Sequence, residues 1–482
     1  MSARRILGPF YRVEGDLEVH VEADERRVTA AWVNSPLYRG FEQILHGKTP
    51  QDALVYTPRI CGICSVSQSV AAARALADAA GVAMTPNGEL ATALVLAAEN
   101  LADHLTHFYL FFMPDFARPA YAGRPWHPEI AERFRAQSGS AAPEALRARA
   151  EFLHLTALLA GKWPHSLALQ PGGTTCPVEA AGKTQLLTLL GSFRRFLEHR
   201  LFGDRLEAIA ELDSEAALRR WHQDHPESDF GRFLGIAEDL GLDRLGRAHD
   251  RFMSYGAYPI EGRPLFPAGT WQAGEAIPLD EAAIREDISH SWLNGPTEPR
   301  HPFEGSTLPA AEADGGYSWC KAPRLQGQPM EVGALARQQV AGHPLVRDLV
   351  EGSGGNVRNR VVARLLELAL VLPAMQEWAA HLRPGEPFCN EFRLPDEGRG
   401  QGLVEAARGS LGHWLHIHRG RILNYQIIAP TTWNFSPRDR AEVPGPLEQA
   451  LAGTPVDDAA LGELRIQHVI RSFDPCMVCT VH

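Results

Sequence analysis

The sequence predicts a mainly α (α+β) fold, a single large unit built on a bundle of long helices with peripheral β-hairpins. Three observations carry that prediction. Several long segments rich in alanine and leucine have helical spacing, alternating apolar runs are few, and no repeat or low-complexity tract marks a domain boundary.

The first elements are strand-like. Residues 17–22 and 27–33 tend to alternate, and the polar turn Ala23-Asp24-Glu25-Arg26 joins them into a hairpin. A helix starts near Ser65 and ends before Gly81. A second starts after the turn Pro86-Asn87-Gly88 and runs to Pro114. In the second, Leu94, Leu101, Leu105, Phe108 and Phe112 stand at near-heptad steps and form a buried stripe. Glu99, Asp103 and His107 share another face of it, at i, i+4 and i+8, for which a solvated polar stripe is the ordinary explanation. Further helices are predicted at 142–160, 178–212, 280–289 and 357–381, the last after the glycine-rich turn Gly352-Ser353-Gly354-Gly355. A second hairpin lies within 411–430, with Arg419-Gly420 at its turn. The stretches 258–279 and 295–316 are rich in proline and glycine and read as ordered surface loops.

Composition narrows the function classes. A chain of 482 residues with 45% apolar and 22% charged side chains is neither disordered, collagenous nor coiled-coil. The formal charge of −11 argues against a nucleic-acid partner, which would require a basic face. No apolar run approaches the roughly 18 residues of a membrane span, since the best candidate, 94–113, is broken by Glu99, Asp103, His104 and His107. The N-terminus has a basic pair but no apolar segment after it, so the reading is a cytoplasmic, soluble protein.

Seven cysteines are too few for a disulfide scaffold, and their spacing is informative. Cys61-Gly62-Ile63-Cys64 and Cys476-Met477-Val478-Cys479 form two Cys-x-x-Cys pairs, each able to offer two thiolates to one metal. Cys176, Cys320 and Cys389 have no such spacing and read as buried small hydrophobes. Four readings compete for the pairs: structural zinc, a redox dithiol, coincidence, and a catalytic metal centre that closes when the C-terminus docks. Zinc knuckles usually lie close together in small domains, and neither pair has a βαβ context.

The flanks are specific. Arg59-Ile60-Cys61-Gly62-Ile63-Cys64 and Asp474-Pro475-Cys476-Met477-Val478-Cys479-Thr480-Val481-His482 closely resemble the large subunit of nickel–iron hydrogenases. The resemblance covers nearly the whole chain, through Arg12-Val13-Glu14-Gly15, Arg39-Gly40-Phe41-Glu42, the segment 103–109, Trp319-Cys320-Lys321-Ala322-Pro323-Arg324, the segment 331–337, Ala407-Arg408-Gly409 and Ala429-Pro430-Thr431-Thr432-Trp433-Asn434. It implies that family's large-subunit fold and heterolytic cleavage of H2 to protons and electrons. It argues against a quinone-module subunit of the complex I type, which shares the fold but lacks the cysteine pairs.

By that resemblance Cys61, Cys64, Cys476 and Cys479 hold nickel, and Cys64 and Cys479 also bridge to an iron carrying cyanide and carbon monoxide. Cys476 receives the proton from H2 and Glu14 carries it onward. Arg408 lies over the open metal position, held by Asp103 and Asp474, and bonds one cyanide; Thr432 donates to the other. Glu99 and His107 are structural. Glu42, the Ile428 carbonyl and His482 hold a magnesium ion, or iron, near the C-terminus. The partner is a small subunit carrying iron–sulfur clusters, because the chain has no spare cysteine array.

Three departures resemble the regulatory, hydrogen-sensing branch of the family. Gln68 stands where histidine is usual, the chain ends at His482, and Ile63 and Phe111 are bulky where smaller residues are common. Extra methylenes at Ile63 and Phe111 would narrow a gas passage enough to hinder O2 but not H2. In that branch turnover is slow and a histidine kinase listens to the two subunits. An uptake hydrogenase is the alternative.

Overall fold

The computed structural model describes residues 5–482, apart from the side chains of residues 459 and 460. Near the start, strands Glu18–Ala23 and Val28–Asn34 pair antiparallel, as the alternation predicts. Val19, Val21, Ala31 and Val33 turn inward together because successive side chains on a strand face opposite ways. A third strand, Arg5–Leu7, joins the edge of this hairpin.

The helix Ser65–Ala80 ends on Gly81, whose positive φ of 64° closes its last turn. The next helix, Pro86–Thr106, starts earlier than predicted. Thr85 caps it by accepting the Gly88 N–H at 3.0 Å, and Pro86 occupies the first turn, where no N–H is needed. Pro86-Asn87-Gly88 is therefore part of the helix. A wide turn, His107–Phe112, and a tight one, Met113–Ala117, carry the same rod past Pro114. The predicted stripe from Leu94 to Phe112 is buried throughout.

Helices Ala141–Ala160 and Val357–His381 match the predicted spans. They pack with Pro86–Thr106 and Ala180–Phe196 around one apolar core. The long helix expected at 178–212 is interrupted at Gly203, φ 71°, after which Leu206–Ala210 starts anew.

Two expectations fail. Residues 280–289 form one tight turn, Glu281–Ala283, and then a strand, Ile284–Asp287, paired with Ala322–Leu325. A four-residue run with β-branched Ile284 at its head pairs more readily than it nucleates a helix. The stretch 258–279 is a meander of Phe252–Ile260, Arg263–Gln272 and Glu275–Ile277. Its prolines mislead because Pro259 and Pro264 face each other at the hairpin end, where missing donors cost little.

The β structure is also not all peripheral. The hairpin Gly409–His418 and Arg421–Ile428 turns at Arg419-Gly420, both with positive φ, as a two-residue turn requires. A further strand, Gly398–Ala406, flanks it, and Gly400 and Gly402 let the Ser65–Ala80 helix lie close on that strand, since a Cβ there would stand 2.1 and 1.9 Å from the Ala75 and Ala71 carbonyl oxygens. Gly409–His418 is buried over nearly its whole length.

Candidate metal centre

Cys61 follows a tight turn, Thr57–Ile60, and Cys64 begins the Ser65–Ala80 helix. Cys476 begins a helix of only four residues, Met477–Thr480. The two pairs are 415 positions apart in the chain, yet the Cys61 and Cys476 sulfurs are 3.5 Å apart and those of Cys64 and Cys479 3.0 Å apart. All four Sγ atoms lie within 4.8 Å of one another and all four residues are buried. None forms a disulfide. Sulfurs bound at about 2.3 Å to one ion stand up to about 4.6 Å apart, so four sulfurs gathered within 4.8 Å are close to the spacing a shared metal needs. Cys64 is pushed well above the thiol range by sharing hydrogen bonds with Cys476 and Cys479, and burial lifts Cys479 and Cys476 as well. Cys61 alone moves down, because the other thiols donate to it. Four buried thiolates this close would repel one another, and a cationic metal would offset that repulsion.

The two pairs are stitched together by main chain and one arginine. Glu14 forms a parallel bridge with Cys476, and its carbonyl accepts the Met477 N–H at 2.6 Å. Gly15, φ 84°, permits this approach, since a Cβ there would stand 3.1 Å from the Val478 nitrogen. Arg39 donates to the Ile60 carbonyl at 2.6 Å and to that of Val478, one beside each pair. Burial raises the pKa of the half-buried Glu14 carboxyl, and the Cys61 charge raises it further, against Arg408 and Arg39.

Arg408 is buried between two carboxylates. It bonds Asp103 through both terminal nitrogens, Asp474 Oδ1 at 3.2 Å, and the Asp474 carbonyl through Nε at 2.8 Å. Burial lifts Asp103 up to about 7 even against Arg408, whereas the guanidinium overcomes burial to hold Asp474 below its usual range. Gly409 makes this turn possible, because at φ 128° a Cβ would stand 2.6 Å from the Gly333 nitrogen.

Thr432 is buried, next to Thr431. Its hydroxyl donates to the Thr480 carbonyl at 2.9 Å and accepts from Ala429, so its one proton is already committed. The neighbour that sequence reasoning missed is Thr431, whose Oγ1 accepts the Cys476 N–H at 3.1 Å. Only a one-residue offset in the same motif separates the two, and spacing does not reveal which hydroxyl reaches the Cys476 main chain.

Glu42 and His482 do meet, at 3.3 Å, and the N–H of Ile427, next to Ile428, donates to Glu42 at 2.8 Å. Lys321 joins them unpredicted, 3.5 Å from Glu42, 3.3 Å from Glu286 and 2.7 Å from the Gln426 amide oxygen. Burial opposes the Glu42 charge, but Lys321 and His482 hold its pKa down to about 2. The cavity beside them is about 20 Å³, room for one water or small ion. Oxygen-rich donors around such a space suit a hard cation.

A family model described as nickel-dependent hydrogenase matches residues 39–124 and 143–482. The periplasmic [NiFeSe] hydrogenase large subunit of Desulfomicrobium baculatum is 29% identical over 99% of this chain and 94% of its own. The hydrogenase-2 large chain of Escherichia coli K12 is 29% identical over 100% and 97%. The solved Ni-Fe-Se hydrogenase of D. vulgaris Hildenborough superposes with a TM-score of 0.86 at 28% identity, covering both chains completely. With four buried sulfurs converging on one metal position, the chain belongs to the nickel-dependent hydrogenases and is the large subunit of a nickel–iron hydrogenase, an enzyme that splits H2.

Proposed function

We propose that this chain binds and splits H2 for hydrogen sensing, as the large subunit of a regulatory hydrogenase. The reading rests on Gln68. It sits one helical turn beyond Cys64, fully buried, and its Oε1 is 2.8 Å from His413 Nε2. Burial holds His413 neutral, its pKa down to about 3, so the ring donates to Gln68 and accepts from Tyr425. An uncharged amide thus stands one helical turn from Cys64 where a titratable ring is usual. Ile63 packs against the core next to Cys64, and Phe111 is half-buried.

When bound, the nickel–iron pair supplies the site at which H2 is cleaved heterolytically. Cys61, Cys64, Cys476 and Cys479 would hold it, with cyanide and carbon monoxide completing the iron. Arg408 presents a fixed, permanently charged fork beside the sulfurs, and Thr431, whose proton is uncommitted, is a better second donor than Thr432. Cys476 Sγ takes the proton and the Glu14 carboxylate carries it on, a role that its raised pKa supports. Glu42, the Ile428 carbonyl and His482 would hold magnesium or iron as a structural tie on the C-terminal turn. Among the described residues, the four cysteines are the one group of three or more metal-binding side chains. We assign onward electron transfer to an iron–sulfur small subunit, and signalling to a histidine kinase that reads the pair in the cytoplasm.

A second reading is favoured by the relatives, among them the uptake hydrogenase large subunit of Afipia carboxidovorans, 27% identical over 100% of this chain. Infrared spectroscopy of the co-expressed two-subunit complex tests the shared chemistry: cyanide and carbon monoxide bands that respond to H2 are expected. Dye-coupled H2 oxidation separates the readings, since slow turnover supports sensing and fast turnover supports uptake. Ile63→Val with Phe111→Leu should make the complex more sensitive to O2, and unchanged sensitivity would overturn the narrowed passage.

A further inference from the structure

The Ser65–Ala80 helix begins on Cys64, whose side chain caps nothing. Its first N–H groups are met from another helix. Glu99 Oε2 accepts the Val66 N–H at 2.8 Å and the Trp163 Nε1–H at 3.2 Å, while Oε1 accepts the Ser67 N–H and Oγ–H at 2.8 and 2.9 Å. Glu99 is 2% exposed, so the solvated stripe of the sequence reading is a buried one. Along the same face Asp103 takes Arg408, and His107 Nε2 lies 2.7 Å from the Arg471 carbonyl. One helix edge thereby touches three parts of the centre: the first cysteine pair, the arginine, and the helix Ala459–Ser472 that leads to the second pair. Arg149, stacked 5.0 Å over the Trp163 ring, lies near both Glu99 and Asp103.

We infer that Glu99 is a positioning residue for Cys64, a helix cap supplied from a second helix that fixes where the thiolate stands and how electron-rich it is. The inference rests on the reading of Cys64 as a metal ligand. Two physical effects act together. A helix N-terminus carries about half a positive charge, and a cysteine at that position normally gains from it. Burial pushes the Glu99 pKa up to about 7, but the Val66 and Ser67 N–H groups, the Ser67 hydroxyl and the Trp163 Nε1–H all favour its carboxylate, which takes up those N–H groups and screens the sulfur from the dipole. The bonds also pin the first turn, because Val66 and Ser67 have no intrahelical acceptor for these protons. Glutamine cannot replace this. It has one acceptor oxygen where the site presents donors on both sides, and one main-chain N–H is left facing an amide nitrogen.

The test uses the co-expressed complex carrying Glu99→Gln, Ser67→Ala or Cys64→Ser, read by nickel content, infrared band positions, midpoint potential and hydrogen exchange of the peptide spanning 65–70. Glu99→Gln should keep its nickel, shift the diatomic bands to higher wavenumber, raise the midpoint potential and speed exchange. Ser67→Ala removes one donor from the carboxylate without disturbing the helix, leaves its charge less screened, and should shift the bands the opposite way. It decides the matter if the glutamine variant fails to assemble. Bands and potential identical to wild type in every variant that assembles, other than Cys64→Ser, overturn the inference. Cys64→Ser separates the two levels: retained nickel and unchanged bands sink the reading of Cys64 as a ligand. Lost bands there, with Glu99→Gln unchanged, sink the role of Glu99 alone.

Discussion

The two cysteine pairs share a spacing but differ in what holds them. Cys61 and Cys64 lead into a sixteen-residue helix whose start is gripped by a buried carboxylate. Cys476 and Cys479 lie on a four-residue helix too short to hold itself, kept in place by the Glu14 carbonyl, the Thr431 hydroxyl and Arg39. The first pair is part of a pre-built scaffold stabilised through ionisable groups. The second docks on it through main chain, a hydroxyl and the guanidinium groups of Arg39 and Arg408. A metal centre built this way has one rigid wall and one held by contacts from distant segments.

The sharpest way to break that picture is to remove one sulfur from each wall. If both pairs serve one centre, Cys61→Ala and Cys479→Ala should be equally damaging, with nickel content and H2 oxidation falling to background in both. Full nickel retention in either variant, measured on purified complex, would show that its pair is dispensable and the comparison false. Next in size is Arg408, which joins the walls by bonding Asp103 on one side and Asp474 on the other. Lysine keeps the charge but cannot reach both carboxylates at once. Arg408→Lys should retain nickel and lose H2 oxidation by about 100-fold, comparable to deleting one preorganised charge-stabilising donor. Activity within a few-fold of wild type would make the fork a structural tie only.

The rigid wall has its own electrostatic signature. Behind the Pro86–Thr106 helix, His104 Nε2 lies 3.1 Å from Glu367, which also binds Arg337 at 2.7 Å, all three fully buried. Burial opposes the Glu367 charge, but Arg337 and His104 bring its pKa down to about 2. A carboxylate whose folded pKa lies below its unfolded one contributes stability above about pH 4.5 and loses it as pH falls toward 2. Glu367→Gln should therefore cost about 3–5 kcal/mol at pH 7, the penalty for stranding a buried partner. The gap to wild type should close as unfolding is repeated at lower pH. A gap that stays constant from pH 7 to pH 3 would mean the network is not ionised as described.

The wall that sequence makes legible is the rigid one. Helical spacing places the Ser65–Ala80 and Val357–His381 helices correctly, because a periodic run of that length with a clear stop at Gly81 or a start at Asn356 leaves tertiary contacts little to decide. The sulfur ligands and Arg408 stand out through motif alone. What was not legible depends on contacts between distant segments. Glu99 looks like a surface residue until the helix it caps is set beside it, and Lys321 gives no sign that it sits between Glu42 and Glu286. The choice between Thr431 and Thr432 turns on how a short helix rotates, which no periodicity over five residues records.

That choice yields the smallest and most local test. The Thr431 hydroxyl accepts the Cys476 N–H, both groups being buried. Thr431→Val keeps the shape and removes the acceptor, leaving a buried donor unpaired at a cost of about 1–3 kcal/mol. Because the second pair stands on a helix of only four residues, that cost should appear as local opening of the C-terminal turn and not as global unfolding. Hydrogen exchange of the peptide spanning 474–482 should speed up by roughly 5- to 100-fold, each tenfold corresponding to about 1.4 kcal/mol. Exchange over 61–70 should stay as in wild type, and Thr431→Ser, which restores the hydroxyl, should return the C-terminal peptide toward its original rate. If both peptides quicken together, the two pairs open as one unit and the distinction between a rigid and a docked wall does not hold.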